Sequence, residues 1–307
     1  MIETSNIAEK TNIAVLPFVN MSASAENEYF SDGMTEEIIN ALAKIDGLKV
    51  TSRTSAFHFK GKNIPIPEIG KALGVSTLLE GSVRLAGNNL RITAQLIDAP
   101  EDFHFWSETW DRTLDNIFEV QEEISLLIAE KLREHIGHFE IEEPPETRPT
   151  QIGAYEWYLK SKSSFTKFQK ADLFRAVEEI ENAIAIDPGC PFYHASKAIY
   201  YGYLGLVDAI SGKQAFTLSK EAAARALQLD PRDPEANYSM GLVHYFFEKD
   251  LDTAESYLNL ALKYRPNYVN ALLGGSVMDV IIGHHERALS RARKAIELDP
   301  LTPSHLY

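Results

Sequence analysis

The sequence predicts an α+β protein in two parts, a small mixed sheet domain followed by an all-helical repeat solenoid. Two runs with strand alternation, 78–85 and 90–98, flank a Gly/Asn turn in the first half. In the second half, four prolines each end a short helical pattern, at intervals of 43, 35 and 34 residues: Pro188, Pro231, Pro266 and Pro300. Such a period is typical of stacked helix-turn-helix units.

The elements of the first half are predicted in the order β-α-β-α-β-β-β-α. An apolar run at 13–19 favours a buried strand, and apolar residues at helical spacing favour a helix over 29–47. In the second strand of the hairpin, apolar residues alternate with Arg91, Thr93 and Gln95, which predicts one buried and one wet face. The other segments are a β-rich stretch, a short amphipathic helix, a further strand and a long amphipathic helix: 48–57, 66–75, 103–112 and 114–136.

The domain boundaries follow from composition. Residues 139–150 contain three prolines and four glutamates, and such a segment is stiff and self-repelling, as expected of a linker. We therefore expect a disordered leader at 1–11, a sheet domain at 12–138 and about four helical repeats at 151–307. Residues 301–307 resemble the opening of another repeat helix, so we expect the chain to be part of a longer protein.

Charge and composition disfavour several classes of partner. The net charge of −14 disfavours nucleic acid and anionic membrane surfaces, which need clustered Lys and Arg. The single cysteine, Cys190, allows no internal disulfide. No window approaches the roughly 20 apolar residues of a membrane span, and residues 1–12 have no apolar signal-peptide core. Cytoplasm is the default location on these grounds.

The first half resembles the TolB amino-terminal-like domain over roughly residues 12–137. The resemblance rests on collinear motifs: IAVLPFVN, YFSDGMTEEI, SRTSAFHFKGK, the stretch 69–98 and FWSETWDRTLDNIFEVQEEI. It implies a regulatory or scaffold module. Members of that family commonly follow an output domain, such as a class III adenylate cyclase, a winged-helix DNA-binding domain or a protein kinase. The role of periplasmic TolB is not implied, because this chain has no β-propeller.

The second half resembles tetratricopeptide (TPR) repeats, which makes the predicted solenoid a TPR solenoid. Repeat three has Met240 and Gly241 at the Leu-Gly positions of its first helix. Small residues recur where the two helices of a repeat cross, in repeats three and four: Ala254, Ala261, Gly283, Ala288 and Ala295. The 43-residue interval implies about nine extra residues, which we place around 208–216.

The resemblance implies that the first helix of each repeat lines a groove. Counting from the prolines and glycines places four tyrosines near it: Tyr193, Tyr200, Tyr238 and Tyr245. Tyrosine suits peptide recognition because it offers a large contact area and a polar tip. The alternative is that these rings fill the core between helices. Leu242 and Val277 occupy positions where carboxylate-clamp TPR domains have asparagine, which argues against a receptor of that type.

The sequence predicts neither a catalytic residue nor a metal or cofactor site. Gly61-Lys62 and Gly212-Lys213 lack the spacing of a phosphate loop, and Gly275-Ser276 lies in a helical pattern. The pairs His135/His138 and His284/His285 do not form a three-ligand zinc set, so we interpret them as solvated helix ends.

Two further polar groups have a structural interpretation beside a functional one. The hairpin has one polar face, which could bind a partner or could be a solvent-exposed face with cross-strand side-chain pairs. Its residues are Glu80, Ser82, Arg84, Arg91, Thr93 and Gln95. The stretch Ser31-Asp32-Gly33 could bind an anion at a helix start, or could simply cap the helix.

These observations predict a non-catalytic scaffold that binds a protein or peptide in the groove of its repeats. Two alternatives stay open: the regulatory portion of a class III adenylate cyclase or other signalling enzyme, and the sensory part of a winged-helix transcriptional regulator. The residues that would separate them lie outside this chain.

Overall fold

A computed structural model describes residues 12–43, 45, 47–136 and 151–302. The predicted leader, the predicted linker and His138 lie outside the described residues. Internal contacts divide the described chain into two compact units. We call residues 12–136 with 293–302 the sheet unit, and residues 151–292 the repeat unit.

The sheet unit contains one mixed six-stranded sheet. Its strands are β1 (Asn12–Val15), β2 (Val19–Asn20), β3 (Lys49–Val50), β4 (Thr77–Ala86), β5 (Asn89–Asp98) and β6 (Phe103–Thr113). They lie in the order β3-β1-β4-β5-β6, with β2 also paired to β4. β1 runs parallel to β3 and β4, whereas β4, β5 and β6 form an antiparallel meander. The predicted mixed sheet is confirmed.

Four α-helices accompany the sheet. They are α1 (Glu28–Leu42), α2 (Arg53–Phe57), α3 (Ile66–Leu73) and α4 (Ile117–Ile136). The alternation predicted for β5 is present in the structure. Arg91 on one face is exposed, and the apolar residues on the opposite face are buried: Leu90, Ile92, Ala94 and Leu96. Ile117, Val120, Ile124, Ile128 and Leu132 of α4 are buried at helical spacing.

Two predicted segments differ from the structure. The run 13–19 is not one strand, because the chain leaves the sheet at Pro17, which has no N–H to donate, and pairs again only at β2. The stretch 48–57 is a strand only at β3, and its second half, Arg53–Phe57, forms α2. Ser52 caps α2 by accepting a hydrogen bond from the Ser55 N–H, and this capping overrides the β-propensity of the stretch.

The chain approaches itself most closely at Gly81. A Cβ atom there would lie 2.4 Å from the Thr93 backbone oxygen on β5 and 2.6 Å from the Phe18 ring. Phe18 is itself buried. Glycine at position 81 therefore allows the β4–β5 ladder to pack directly beneath the aromatic ring.

Residues near the end of the described chain complete the sheet unit. The Ser52 N–H donates to the Leu298 carbonyl at 2.6 Å, and the Ser55 hydroxyl donates to Asp299 at 2.5 Å. Ser52 also donates to Asp299, and Leu301 packs against the apolar cluster that contains Leu78. The residues that follow the last helix thus contribute to the core of a unit formed mainly by the first half of the chain.

The repeat unit is built from consecutive helices, and each packs against the next as far as Val269–Ile281. They are α5 (Ile152–Phe165), α6 (Lys170–Ile186), α7 (Pro191–Leu206), α8 (Gly212–Leu229), α9 (Pro234–Val243), a π-helical turn (His244–Glu248), α10 (Leu251–Tyr264), α11 (Val269–Ile281) and α12 (His285–Leu298). The first helices of the four predicted repeats are α5, α7, α9 and α11. The extra residues of the 43-residue interval are shared between the turn 207–211 and α8, which has 18 residues against 14 in α10.

Small residues lie where helices of one repeat cross. A Cβ at Gly241 would lie 2.8 Å from the Leu258 side chain, and Ala254 and Ala261 are completely buried beside it. A Cβ at Gly275 would lie 2.6 Å from the Arg291 guanidinium, and the Ser276 hydroxyl donates to the Ala288 carbonyl. Gly275 and Ser276 therefore serve helix packing, as the sequence predicts.

A buried carboxylate caps α9 and predicts a pH-dependent stability. The Asp233 side chain accepts from the Ala236 N–H at 2.7 Å, and burial raises the pKa of this carboxyl to about 7. Because the folded state then binds the proton more tightly than the unfolded state, this contribution to stability is complete below about pH 4 and is lost as the pH rises towards 7.

We expect Asp233→Asn, which keeps the acceptor oxygen but cannot ionise, to abolish this pH dependence. Between about pH 4 and pH 7, the free energy of unfolding should shift in favour of the variant by up to about 4 kcal/mol. Urea unfolding of both proteins across that range measures the shift. Asp233→Ala is the control, because it cannot ionise either and should be less stable than Asp233→Asn by about 1 kcal/mol of capping at every pH. Parallel profiles for the wild type and Asp233→Asn would contradict the prediction.

Candidate functional site

The candidate site lies on the first helices of repeats three and four. Counted from the closing prolines Pro231 and Pro266, the residues of α9 and α11 fall into the same register. Positions 11, 14 and 15 after the proline then share one side of each helix. We call this surface the first-helix face, and its residues are Leu242, Tyr245, Phe246, Val277, Val280 and Ile281.

The α11 part of this face is aliphatic and open. Val277, Val280 and Ile281 have relative exposures of 56%, 54% and 55%. They follow one another at the i, i+3, i+4 spacing that normally marks the buried stripe of a helix. α11 also buries a second stripe, which contains Leu272 and Met278. The helix is therefore apolar on two sides, and only one of them is covered by the described residues.

The α9 part of the face is mainly aromatic and lies beside α11. Leu242 and Tyr245 pack against an apolar cluster that includes Tyr268 and Met278, and a Cβ at Gly274 would lie 3.9 Å from Leu242. Phe246 is 40% exposed, and its ring contacts those of Tyr245 and Phe216. Leu242 and Tyr245 thus pack beside α11, at Gly274 and Met278.

The π-helical turn accounts for the aromatic cluster beside this face. It adds a residue to the end of α9, and Lys249 ends it with a φ of 60° while the Asp250 N–H bonds the His244 carbonyl. His244 Nδ1 lies 2.8 Å from Glu248, which also binds Lys220. The turn brings both Phe246 and Phe247 against Phe216 of α8. π-turns are rare and are frequent at functional sites.

The four tyrosines of the sequence prediction lie mainly in the interior. Tyr193 and Tyr200 have relative exposures of 0% and 1%, and Tyr238 has 8%, whereas Tyr245 is half-buried. The Tyr200 hydroxyl lies 3.1 Å from that of Ser161, and the Tyr238 ring contacts that of Tyr268. This burial favours the second interpretation, in which the rings fill the core between helices. Only Tyr245 belongs to the first-helix face.

The helical phase divides the tyrosines into two pairs but does not by itself decide their burial, since Tyr238 has the phase of Tyr245 and is nevertheless buried against Tyr268. Tyr193 and Tyr200 lie 5 and 12 residues after Pro188, whereas Tyr238 and Tyr245 lie 7 and 14 residues after Pro231. A difference of two residues turns a helix by about 200°, so the two pairs lie on opposite sides of their helices. The sequence prediction missed Phe246, Val280 and Ile281. The register of Leu242 and Val277, continued by three and four residues, would have found them.

The described residues contain one group that could hold a metal by distance alone: Glu255, Asp279 and His284. Asp279 is completely buried and lies 2.6 Å from Arg287 and 3.0 Å from Arg291. Arg287 also binds Glu255. Two guanidinium groups therefore neutralise the acidic side chains, and the cluster is an ion-pair network that closes repeat four.

The other polar candidates form intramolecular contacts. On the hairpin, Arg91 binds Asp111 through two hydrogen bonds of 2.6 and 2.9 Å, as the cross-strand interpretation expects. Asp32 binds Lys60 at 2.5 Å, and burial raises the pKa of this carboxyl. The Asp32 carboxylate thus pairs with a lysine, and it lies within α1 and not at its start. The ring of His135 stacks on that of Phe105, with centroids 3.8 Å apart.

A cavity of about 190 Å³ lies between α7 and α8. Its lining is His194, Lys197, Tyr201, Leu218, Glu221, Ala222 and Arg225. Lys197 binds Glu181 of α6 at 2.8 Å, and His194 Nε2 lies 3.0 Å from the Pro188 carbonyl. Burial lowers the pKa of His194, which favours its neutral form. Because Lys197 and His194 already have partners within the chain, we interpret this cavity as a packing gap between helices.

Among the residues described, no helix is both long and apolar enough to cross a membrane.

Comparison with known proteins gives one curated relative and several solved structures. The chain is 36% identical over 251 residues to a protein named "Putative adenylate cyclase 3" of Rhizobium meliloti (strain 1021). The match covers 80% of this chain and 42% of that protein. The chain therefore spans less than half the length of the curated relative. No protein-family model matches the chain.

The solved structures include several TPR proteins. One is a thermophilic TPR protein of Thermus thermophilus, at 16% identity and a TM-score of 0.42 over 62% of this chain and 90% of that one. PilF of Pseudomonas aeruginosa has 18% identity and a TM-score of 0.39, over 50% and 66%. PilW, described as a widely conserved type IV pilus biogenesis factor, has 20% identity and a TM-score of 0.38, over 49% and 65%.

Proposed function

We propose that the chain is a non-catalytic interaction module whose repeat unit binds an apolar segment of a protein partner on the first-helix face. One observation carries this proposal: three aliphatic side chains of α11 at helical spacing, Val277, Val280 and Ile281, are each more than half exposed. Burying such side chains against a partner is favourable by about 25 cal/mol per Å² of apolar surface.

The chemistry of the face indicates the kind of segment that it would accept. Its α9 half offers aromatic rings and its α11 half aliphatic side chains, and the six residues carry no formal charge. An amphipathic helix or an extended apolar stretch suits such a surface. The acidic carboxyl-terminal tail of a carboxylate-clamp ligand does not, because Leu242 and Val277 cannot donate hydrogen bonds to it.

The test is selection of a displayed peptide library on the wild type and on the double variant Val280→Asp/Ile281→Asp. We expect peptides with apolar residues at i, i+3, i+4 to be enriched on the wild type, and their dissociation constants to rise at least about tenfold on the variant. The matched control is Phe174→Asp/Leu289→Asp, which replaces exposed apolar residues on the second helices α6 and α12.

If the peptides bind Val280→Asp/Ile281→Asp as tightly as the wild type, or lose as much affinity for the control variant, the binding site is not the first-helix face. Circular dichroism of each variant verifies that the fold is retained. ATP turnover by the purified chain would contradict the non-catalytic part of the proposal.

A second proposal concerns the protein to which the chain belongs. We infer that it is the regulatory part of a longer protein with a class III adenylate cyclase, that residues 12–138 form a TolB-amino-terminal-like domain, and that it works in the cytoplasm. The 36% identity to the relative named as an adenylate cyclase, of which the chain spans 42%, supports this inference.

Determination of the native reading frame on both sides of these residues tests the second proposal. We expect the reading frame to encode a cyclase domain. We also expect the double variant Val280→Asp/Ile281→Asp to change cyclic AMP synthesis by the full protein. A frame that encodes a winged-helix domain instead would favour the transcriptional alternative. A frame without any output domain would leave a stand-alone scaffold.

A further inference from the structure

The sheet ends in a long edge strand, β6. β6 pairs with β5 on one side, and no other strand among the described residues pairs with it on the other. It has 11 residues, about twice the usual length of a strand. Its outward N–H and C=O groups therefore form a template on which another strand can add.

Proteins usually protect such an edge with bulges, proline or short length. In β6 the register shift opposite Leu96 and Ile97 leaves Phe105 unpaired, so the edge is interrupted near its beginning. From Trp106 to Thr113 the pairing with β5 continues without a further shift, and this segment contains no proline. The regular part of the edge is thus open and long enough for specific pairing.

We propose that β6 pairs in antiparallel fashion with β6 of a second copy of this chain, about a twofold axis at Trp110. In a twofold pairing that continues the sheet, opposed residues must lie on the same face, so their numbers are both even or both odd. A register with the axis at Asp111 would set this carboxylate against the same carboxylate of the second copy, which is unfavourable. Three other registers place the axis near the middle of the regular segment, at Glu108, Thr109 or Trp110.

Charge separates the three registers. With the axis at Glu108, this carboxylate opposes itself, which is unfavourable. With the axis at Thr109, Glu108 opposes Trp110 and gains no counter-charge. With the axis at Trp110, Glu108 opposes the partner's Arg112 and Arg112 opposes the partner's Glu108, so two ion pairs form across the interface.

The present contacts of these side chains permit the exchange. Glu108 is exposed and has no ion-pair partner among the described residues. Arg112 binds Glu123 of α4 at 2.7 Å in an exposed pair, which contributes little and can be shared with a second carboxylate. Phe103, at the start of β6, is 62% exposed and adds apolar surface to this strand.

The experiment is sedimentation equilibrium of the full chain over a range of concentrations, with two single charge reversals. Glu108→Arg makes both positions positive, and Arg112→Glu makes both negative. We expect the wild type to dimerise and each variant alone to raise the dimer dissociation constant about tenfold to a hundredfold. Mixing the two variants in equal amounts should restore dimerisation, because opposite charges then meet in both pairs.

Arg84→Glu is the matched control, since it reverses an exposed charge on β4, two strands away from the edge, and should leave the dimer unchanged. Circular dichroism verifies that each variant folds. A wild type that stays monomeric would overturn the proposal. The edge of β6 would then be a candidate for pairing with a strand of another protein. A dimer that the reversals do not weaken, or a mixture that fails to recover, would also overturn it. None of these outcomes depends on peptide binding by the repeat unit.

Discussion

Replacement of Asp279 by alanine is expected to lower the free energy of unfolding of the repeat unit by about 3–5 kcal/mol. The carboxylate has no exposed surface, and it holds Arg287 and Arg291 at 2.6 and 3.0 Å. Arg291 is mostly buried, so its charge would lose its counter-charge in a poorly solvated position. The cost comes mainly from that unpaired guanidinium and not from the lost attraction.

Urea unfolding measures this effect, and Asp111→Ala provides the control. The pair Arg91–Asp111 has similar geometry, at 2.6 Å, but both side chains are more than half exposed. Its loss should cost far less than that of Asp279, because water and salt screen an exposed ion pair, and added salt should reduce the cost further. A second variant, Asp279→Ala/Arg291→Met, removes the stranded charge and should recover part of the stability. Equal losses for Asp279→Ala and Asp111→Ala would contradict the prediction.

Gly81→Ala is expected to destabilise the sheet unit by about 3 kcal/mol, towards the upper end of the usual cost of overpacking. The cost of the substitution depends on which atom must move to make room for the new Cβ. The new Cβ would lie 2.4 Å from the Thr93 carbonyl oxygen, which is fixed in the β4–β5 ladder. At Gly241 the nearest atoms belong instead to the flexible side chain of Leu258, which can adjust at lower cost.

Thermal unfolding measures the Gly81 effect, and Gly202→Ala is the matched control. Gly202 lies in the interior of α7, and the nearest atom to an added Cβ is 3.9 Å away. Alanine there should be neutral or stabilising by up to about 1 kcal/mol, because glycine disfavours a helix interior. A Gly81→Ala protein as stable as Gly202→Ala would show that Phe18 and the ladder can separate freely.

Local signals in the sequence predicted much of the fold. The prolines and small residues, such as Gly241, mark places where a helix must end or where two helices must touch, and both are local requirements. The alternation of β5 likewise follows from its own residues. α2 could not be predicted in this way, since its stretch has strand propensity and a single capping hydroxyl, that of Ser52, decides its conformation.

The candidate site was less predictable, because a first helix of a repeat is apolar on more than one side. Residue type cannot distinguish a tyrosine of the groove from one of the core, and Tyr193 and Tyr245 differ only in helical phase. The π-turn that presents Phe246 depends on where the chain leaves α9, and no residue pattern announces it. The lone edge of β6 depends on the strand order of the whole sheet.

The contribution of Leu298, Asp299 and Leu301 to the sheet unit has a consequence for synthesis of the chain. A ribosome produces β1 first and these residues about 285 positions later, after the last repeat helix. During that interval, the Ser52 and Ser55 groups that bind them have no native partner, and the Leu78 cluster lacks one of its apolar neighbours. The nascent sheet unit therefore cannot form all of its native contacts until the entire repeat unit has been translated.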